Sequence, residues 1–245
     1  MMLYMTREER LISLDKMSNT RDLGGYETRQ GTYTKAHHYI RGASPANASD
    51  DDLKKLYDYG VRAVVDLRSD FEKENQPNRL KGYKDIDYYE VNLFHGDNIR
   101  VVPEEVRNYK DLSGVYIYTL EAMKENIKEI FDIFMKYPYD AVLFHCSAGK
   151  DRTGVISGLL LELAGCHDYD IVKDYSESYE NNYEINEELK LMMDRGTEDY
   201  LRSSPRYMMV LLDYLREHYG SAKEYLLNIG MCIDDIEELI ENFTI

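Results

Sequence analysis

The sequence predicts an α/β fold, a central and mostly parallel sheet flanked by helices. Apolar runs of strand length alternate with amphipathic helical stretches, the pattern of sheets that carry helices on their faces. The segment richest in reactive side chains, His145 to Gly154, directly follows the apolar run Ala141, Val142, Leu143, Phe144. Open parallel sheets place their ligand sites at such carboxyl ends. Length agrees, since 245 residues can bury a sizeable core. No Pro/Gly/Ser-rich linker, low-complexity run or internal repeat divides the chain, so residues 1–245 are expected to form a single domain.

Residues 31–41 alternate loosely and read as an early strand pair or extended segment. Ser49 caps a helix with Asp50, Asp51 and Asp52 in its first turn, where negative charge complements the helix dipole. The three aspartates are thus expected as a cap rather than as metal ligands. Gly60 ends that helix, 61–67 is a buried strand, and 86–93 is a further strand. From 95 to 118 the pattern lapses into a long irregular stretch, a candidate cover for the site. Leu120, Met123, Ile127, Ile130, Phe131 and Phe134 keep a helical period, so one amphipathic helix is expected over 119–136. After the strand before Cys146, a helix turns Val155, Ile156, Leu159, Leu160 and Leu163 inward and ends at Gly165. From 168 the chain reads as helical with polar breaks. Ser204 and Pro205 are an N-cap and a first-turn proline, Gly220 closes their helix, and Ser221 with Glu224 forms a capping box for the next. Twenty-three tyrosines and no tryptophan predict a tyrosine-rich interior and groove.

The loop between strand and helix carries the chemistry. The first N–H groups of a helix lack intrahelical partners, so Cys146 at that mouth meets a positive potential that favours a thiolate and attracts an anion. Backbone N–H groups of Ser147, Ala148, Gly149, Lys150 and Asp151 are expected to converge as a nest for phosphate oxygens. Gly149 lets the backbone approach the ligand with no Cβ in the way. Arg152 can fork two hydrogen bonds onto two phosphate oxygens, which lysine cannot. These contacts strengthen as a transferring phosphoryl group becomes trigonal. Thr153 is placed to hydrogen-bond the sulfur, and His145 is expected to order the loop rather than to act as a base.

At these residues the chain resembles the cysteine-dependent phosphatases, whose signature is His-Cys, five residues, Arg, then Ser/Thr. More narrowly it resembles the bacterial tyrosine/serine phosphatases of dual or triple specificity, similar to phosphoinositide phosphatases in carrying a lysine, Lys150, inside the loop. Asn19 to Gly25, Ile40 to Ser44, Asp66-Leu67-Arg68-Ser69, and a tail with Tyr225-Leu226 and Ile229-Gly230 extend the resemblance over about residues 13 to 243. It implies the cysteine-dependent protein tyrosine phosphatase fold. It also implies hydrolysis of phosphotyrosine, with phosphoserine/threonine as further substrates, through a cysteinyl-phosphate intermediate and without metal or other cofactor.

Charge and cysteine content narrow the partners. The net charge is −16, yet residues 1–49 hold seven Lys/Arg against five Asp/Glu, so the remainder carries −18. An acidic body disfavours nucleic acid and a general electrostatic grip on anionic membranes. A phosphorylated protein or phosphoinositide must then be captured locally, with Arg21, Arg41, Arg68 and Lys150 as candidate basic groups. No apolar stretch approaches a membrane span, and MMLYMTREER has no signal-peptide core. Three cysteines, Cys146, Cys166 and Cys232, share no metal-binding spacing and fit a reducing, cytoplasmic setting; export without a cleaved signal is compatible with the same sequence.

A general acid must protonate the leaving oxygen. Phosphatases of this kind often carry it on a Trp-Pro-Asp loop, which a chain without tryptophan lacks. The resemblance implies Asp151 in the loop. Asp66 at the end of the 61–67 strand, and an acid within 95–111 such as Asp97, stay open. The readings that compete with a protein phosphatase are a phosphoinositide or inositol-phosphate phosphatase, a rhodanese-like sulfurtransferase, and a phosphate-binding module without turnover.

Overall fold

The strand that precedes Cys146 lies at the centre of the sheet. The computed structural model describes residues 4–93, 111–192 and 198–245. Its elements run α1 (Arg7–Arg10), β1 (Arg21–Asp22), β2 (Tyr39–Gly42), α2 (Asp50–Tyr59), β3 (Val61–Asp66), α3 (Asp70–Asn75), β4 (Asp87–Glu90), α4 (Leu112–Ala122), α5 (Lys124–Phe134) and β5 (Ala141–His145), then α6 (Asp151–Leu163), α7 (Asp168–Asn181), α8 (Tyr183–Met192), α9 (Pro205–Tyr219), α10 (Ala222–Asn228) and α11 (Ile233–Phe243). The sheet order is β1-β2-β5-β3-β4. Among the described strands of this sheet, only the β1–β2 pair is antiparallel; β2, β5, β3 and β4 run parallel. The α/β architecture expected from the sequence is the one observed.

Register explains why the site forms where it does. Gly42 pairs with His145 and His145 with Asp66, so the carboxyl ends of three parallel strands finish level. The side chains of β5 alternate between two cores. Val142 and Phe144 enter a large cluster built with α4, α5, α6 and α9, whereas Ala141 and Leu143 join a smaller one with Leu53 and Leu56 of α2. In β3 that alternation slips between Val61 and Ala63, where the pairing register shifts. The slip turns Arg62 out, its guanidinium over the Tyr57 ring and bonded to the Tyr57 carbonyl at 2.9 Å.

Ser49 caps α2 with a complete capping box to Asp52, and Gly60 ends it at φ 111°. Asp52 also accepts from the N–H groups of Asp15 (2.6 Å) and Lys16 (2.9 Å), so the aspartates cap and clamp the chain. Five local expectations need correction. The 119–136 helix is two helices that break at Met123, which leaves helical geometry at ψ 29°. The first of them begins at Leu112, and it was invisible because Ser113, Gly114 and Thr119 are buried beside Tyr116, Ile117 and Leu120, which erases the apolar–polar contrast. Of the expected irregular stretch 95–118, residues 112–118 are therefore helical, whereas 95–110 lie outside the described residues. The 86–93 strand is shortened to Asp87–Glu90, and within 31–41 only the residues from Tyr39 are strand, paired with Arg21–Asp22. Ser221 accepts from the Glu224 N–H (3.1 Å) without the reciprocal half of a box, whereas Ser204 is the N-cap of α9 and Pro205 its first residue, with no side-chain cap bond.

Phe144 is fully buried beneath the loop and meets the Phe134 ring at 5.6 Å between centroids. Phe144→Ala should lower unfolding free energy by about 3–5 kcal/mol in a denaturant titration. The exposed Tyr139→Ala, by contrast, should stay within about 0.5 kcal/mol of the parent.

Candidate active site

Cys146 is the first residue after β5, and Asp151 opens α6 five residues later. Between them the backbone carbonyls are all held from outside. Ser147 O accepts from the Ser44 N–H at 2.9 Å. Ala148 O accepts from Asn19 Nδ2 and Asn182 Nδ2, both at 2.9 Å. Gly149 O accepts from Asn19 Nδ2 and Arg41 Nη2, also at 2.9 Å, and Lys150 O from Arg41 Nη2 at 3.4 Å. Opposed peptide dipoles then turn the N–H groups the other way, which makes an anion nest. Gly149 adopts φ +64°, and a Cβ there would sit 2.3 Å from the Gly42 carbonyl oxygen. Only glycine fits this left-handed position packed on a neighbouring backbone.

Arg21 and Arg41 serve this loop and do not face a ligand, which corrects their expected part in anion capture. Both are fully buried. Arg21 Nε and Arg41 Nη1 grip the two oxygens of Asp174 on α7, at 2.8 and 2.5 Å. Burial raises the Asp174 pKa, but the two guanidiniums outweigh it and hold the carboxyl down at about 2. Arg21 Nη1 also bonds Asn19 Oδ1 at 2.5 Å, which aims the Asn19 amide at the loop. Asn19 takes a left-handed backbone, φ 55°, a conformation asparagine tolerates.

Asp66 and Arg68 form a second buried unit, and Arg68 too is corrected from ligand capture to support. Asp66 accepts from Arg68 Nε (2.9 Å), Arg68 Nη2 (2.7 Å), Asn78 Nδ2 (3.1 Å) and the Tyr88 hydroxyl (2.7 Å). Burial alone would raise its pKa, yet the Arg68 guanidinium and the bond from Asn78 hold it far below the ordinary carboxylate range. Asp66 is thus a buried carboxylate with all its described partners donating to it. His145 is fully buried, and burial favours its neutral form. Its Nδ1–H donates to Cys146 O at 2.9 Å, and its Nε2 accepts from Asn78 Nδ2 at 2.8 Å. Both ring nitrogens are thus hydrogen-bonded, Nδ1 to the loop backbone and Nε2 to Asn78.

Arg152 makes its fork with Glu72 of α3, a residue the sequence reading passed over. Nη1 reaches Glu72 Oε2 at 2.7 Å and Nη2 reaches Oε1 at 2.8 Å. The Ser147 hydroxyl donates to the same Oε1. Oε2 also accepts from the N–H (2.9 Å) and hydroxyl (3.0 Å) of Ser69, completing the α3 capping box. Burial would raise the Glu72 pKa, but the Arg152 bonds dominate and bring it to about 2. The sequence signal was the spacing Ser69-x-x-Glu72, a capping box directly after Asp66-Leu67-Arg68. Burial depresses the Arg152 pKa, whereas Glu72 and then the Cys146 sulfur raise it, for a net rise; the sulfur is thus within electrostatic reach of the guanidinium.

Two loop side chains differ from expectation. The Lys150 ammonium donates to the carbonyls of Tyr200 (2.5 Å) and Arg202 (3.3 Å), so it ties the 200–202 segment to the loop. The buried Thr153 hydroxyl has no hydrogen-bond partner among the described residues, so the expected bond to sulfur is not formed. Asp151 lies at the wall of a cavity of about 570 Å³ together with Arg152 and Glu72. Apolar side chains supply much of the remaining wall: Phe71, Leu93, Leu112, Val115 and Tyr116. The Tyr116 hydroxyl donates to Asp151 Oδ1 at 2.5 Å. Asp97 lies outside the described residues.

Among the other thiols, burial pushes Cys166 up to about 12, and Cys232 is exposed as the N-cap of α11. No described helix is long and apolar enough to cross a membrane.

Comparison with known proteins agrees with the loop. A tyrosine-protein phosphatase of Nostoc commune is 29% identical over 224 residues, 86% of this chain and 75% of that protein. A candidate tyrosine-protein phosphatase of Cupriavidus necator is 31% identical over 181 residues, 72% of this chain and 66% of its own length. The crystal structure of P. aeruginosa TpbA superposes with a TM-score of 0.43 at 13% identity, covering 82% of this chain and 91% of that one. A second TpbA structure, a complex with phosphotyrosine, gives a TM-score of 0.39 at 15% identity, over 70% and 87% of the two chains. The profile of the tyrosine phosphatase family matches residues 12–245, from the strands that brace the loop to the last helix, and the chain belongs to that family.

Proposed function

We propose that the chain is a cysteine-dependent phosphatase that hydrolyses phosphotyrosine in phosphorylated proteins. The observation that carries this reading is the nest at 147–150, whose carbonyls are all drawn outward beside Cys146 and Arg152. The Cys146 thiolate attacks phosphorus, the P–O bond to the leaving group breaks, and Asp151 gives its proton to the departing oxygen. The nest and Arg152 hold the three equatorial oxygens as charge spreads over them. Water, deprotonated by the same Asp151, then cleaves the cysteinyl phosphate and frees inorganic phosphate.

Two observations favour an aryl phosphate over an inositol ring. The cavity beside Asp151 and Arg152 has largely apolar walls that suit an aromatic side chain. Lys150, the group that would meet an extra ring phosphate, is turned onto main-chain carbonyls. Parallel rates on a phosphotyrosine peptide, a phosphoserine peptide and a soluble phosphoinositide should rank in that order. A phosphoinositide hydrolysed fastest would overturn the preference. The reading also places the enzyme in a reducing compartment such as the cytoplasm, because oxidation of Cys146 ends turnover.

Cys146→Ser should abolish phosphatase activity while leaving thermal unfolding unchanged. Asp66→Asn should act on stability, since it leaves the buried Arg68 without its ionised partner, at a cost of about 3–5 kcal/mol. Asp151→Asn should instead keep stability and lose turnover. An Asp151→Asn enzyme with full turnover would shift the acid elsewhere.

Glu72→Gln should lower kcat/KM about 10- to 100-fold, the worth of a charge-assisted fork that orients the guanidinium. The sign with pH follows from a depressed native pKa. The Glu72–Arg152 pair is fully present above the ordinary carboxylate value and fails only as pH falls toward about 2. An acidic limb between pH 5 and 7 should therefore persist in Glu72→Gln at unchanged position.

A further inference from the structure

Asp151 does not sit alone in the loop. The Tyr116 hydroxyl on α4 is 2.5 Å from Asp151 Oδ1, and the Tyr175 hydroxyl on α7 is 2.6 Å from that of Tyr116. The two rings meet edge to face with centroids 5.8 Å apart, and both side chains are buried, at 1% and 0% exposure. A phenol has one hydrogen to donate. Tyr116 gives its hydrogen to the carboxyl, so the hydrogen between the two phenols must come from Tyr175. The chain therefore has one direction, Tyr175 to Tyr116 to Asp151.

We propose that Tyr116, backed by Tyr175, is a positioning residue for proton transfer: it occupies Asp151 Oδ1 as a permanent donor and so confines the transferable proton to Oδ2. An oxygen that already accepts a hydrogen bond from a phenol is the carbonyl-like oxygen of the protonated acid. When Oδ2–H gives its proton to the leaving oxygen, the carboxylate left behind keeps the Tyr116 bond, which strengthens as charge appears. When water later returns a proton, it returns to the same Oδ2, and the P–O chemistry balances over the two steps. Burial, the largest influence on both phenols, raises their pKa values well above the ordinary one, so neither hydrogen is lost in the working range. The charged neighbours of the unit include Lys150, whose Nζ is 3.6 Å from Asp151 Oδ1, Arg152, next in the chain, and Arg41, whose charge acts on Tyr175.

The proposal rests on Asp151 being the acid, and the test separates the two. kcat/KM is measured on phenyl phosphate, whose leaving group needs a proton, and on p-nitrophenyl phosphate, whose leaving group needs it far less. Asp151→Asn should lose at least about 100-fold on the first and much less on the second. Tyr116→Phe should lose about tenfold on phenyl phosphate and under about twofold on p-nitrophenyl phosphate. Tyr175→Phe should shift the same ratio in the same direction by less. Adding Tyr116→Phe to Asp151→Asn should cost nothing more. Tyr225→Phe, which deletes another buried phenol bond, to Leu120 O at 2.7 Å, should leave the ratio unchanged. Equal losses on both substrates in Tyr116→Phe and Tyr175→Phe, or additive losses in the double variant, would overturn the tyrosine chain and leave Asp151 standing. An Asp151→Asn enzyme with no leaving-group dependence would overturn the acid assignment and the chain together.

Discussion

The structure depends on how the carbonyls of residues 147–150 are held. A peptide has two polar ends, and a nest that offers only N–H groups to an anion must dispose of its carbonyls elsewhere. Here they are drawn outward by Ser44, Asn19, Asn182 and Arg41. Those donors come from three distant parts of the chain, so none of them is aimed by local sequence. The buried Asp174 aims two of the chains of contact. It fixes Arg41 directly, and through Arg21 it fixes Asn19. Removing one partner from such a buried ionic unit costs about 3–5 kcal/mol. The unit thus secures the loop's geometry more than it adds net stability.

Four carboxyl groups near the loop show how environment divides labour among like residues. Asp174 and Asp66 are buried and paired with guanidiniums, and each is a fixed negative charge that holds an arginine still. Glu72 spans the two situations, since it caps α3 with one set of bonds and holds Arg152 with another. Asp151 is the most open of the four, at 36% side-chain exposure against 29% for Glu72, and its hydrogen bond comes from the neutral Tyr116 rather than from a guanidinium. A group that must both give and take a proton needs access to solvent and substrate and no guanidinium locked onto it. Of the four, only Asp151 meets that condition; the Lys150 ammonium stands 3.6 Å from its Oδ1. The same logic explains why Arg21, Arg41 and Arg68 are unsuited to greeting a ligand: each is fully buried and ion-paired inside the protein.

Much of the fold was legible in the sequence because it is written in local signals. Ser49 and Gly60 bound α2, and Gly165 and Gly220 lie just past the ends of α6 and α9. The run 141–144 gave β5, because four apolar residues before a reactive loop fit a strand buried on both faces. Legibility failed where burial is not apolar. Ser113, Gly114 and Thr119 line the inside of α4 and hide its period, and Met123 breaks the helix without proline or glycine to mark it. At the site, residues contiguous in sequence were found and residues contiguous only in space were not. Glu72 lies 80 positions from Arg152, and Tyr116 lies 35 from Asp151. Charge type was also misleading by itself. Arginines at 21, 41 and 68 read as ligand-facing cations until their acidic partners are placed: Asp174 on a distant helix for Arg21 and Arg41, and Asp66 for Arg68.

The overall charge sharpens what the loop has to achieve. A body with a net charge of −16 repels a phosphorylated partner at long range, and salt screens that repulsion over about 8 Å under physiological conditions. Attraction must therefore be concentrated within one Debye length of Cys146. Lys150 is engaged with Tyr200 and Arg202, and Arg152 shares its guanidinium with Glu72. Backbone N–H groups then become the main anion donors. They carry no net charge to be cancelled by nearby carboxylates, and they do not move when the ligand arrives. This arrangement suits chemistry in which the phosphoryl charge is redistributed during reaction, because fixed dipoles favour the trigonal geometry without first having to reorganise. An acidic protein can act on an acidic substrate in this way, provided the donors are peptides held rigidly by buried ion pairs several ångströms behind them.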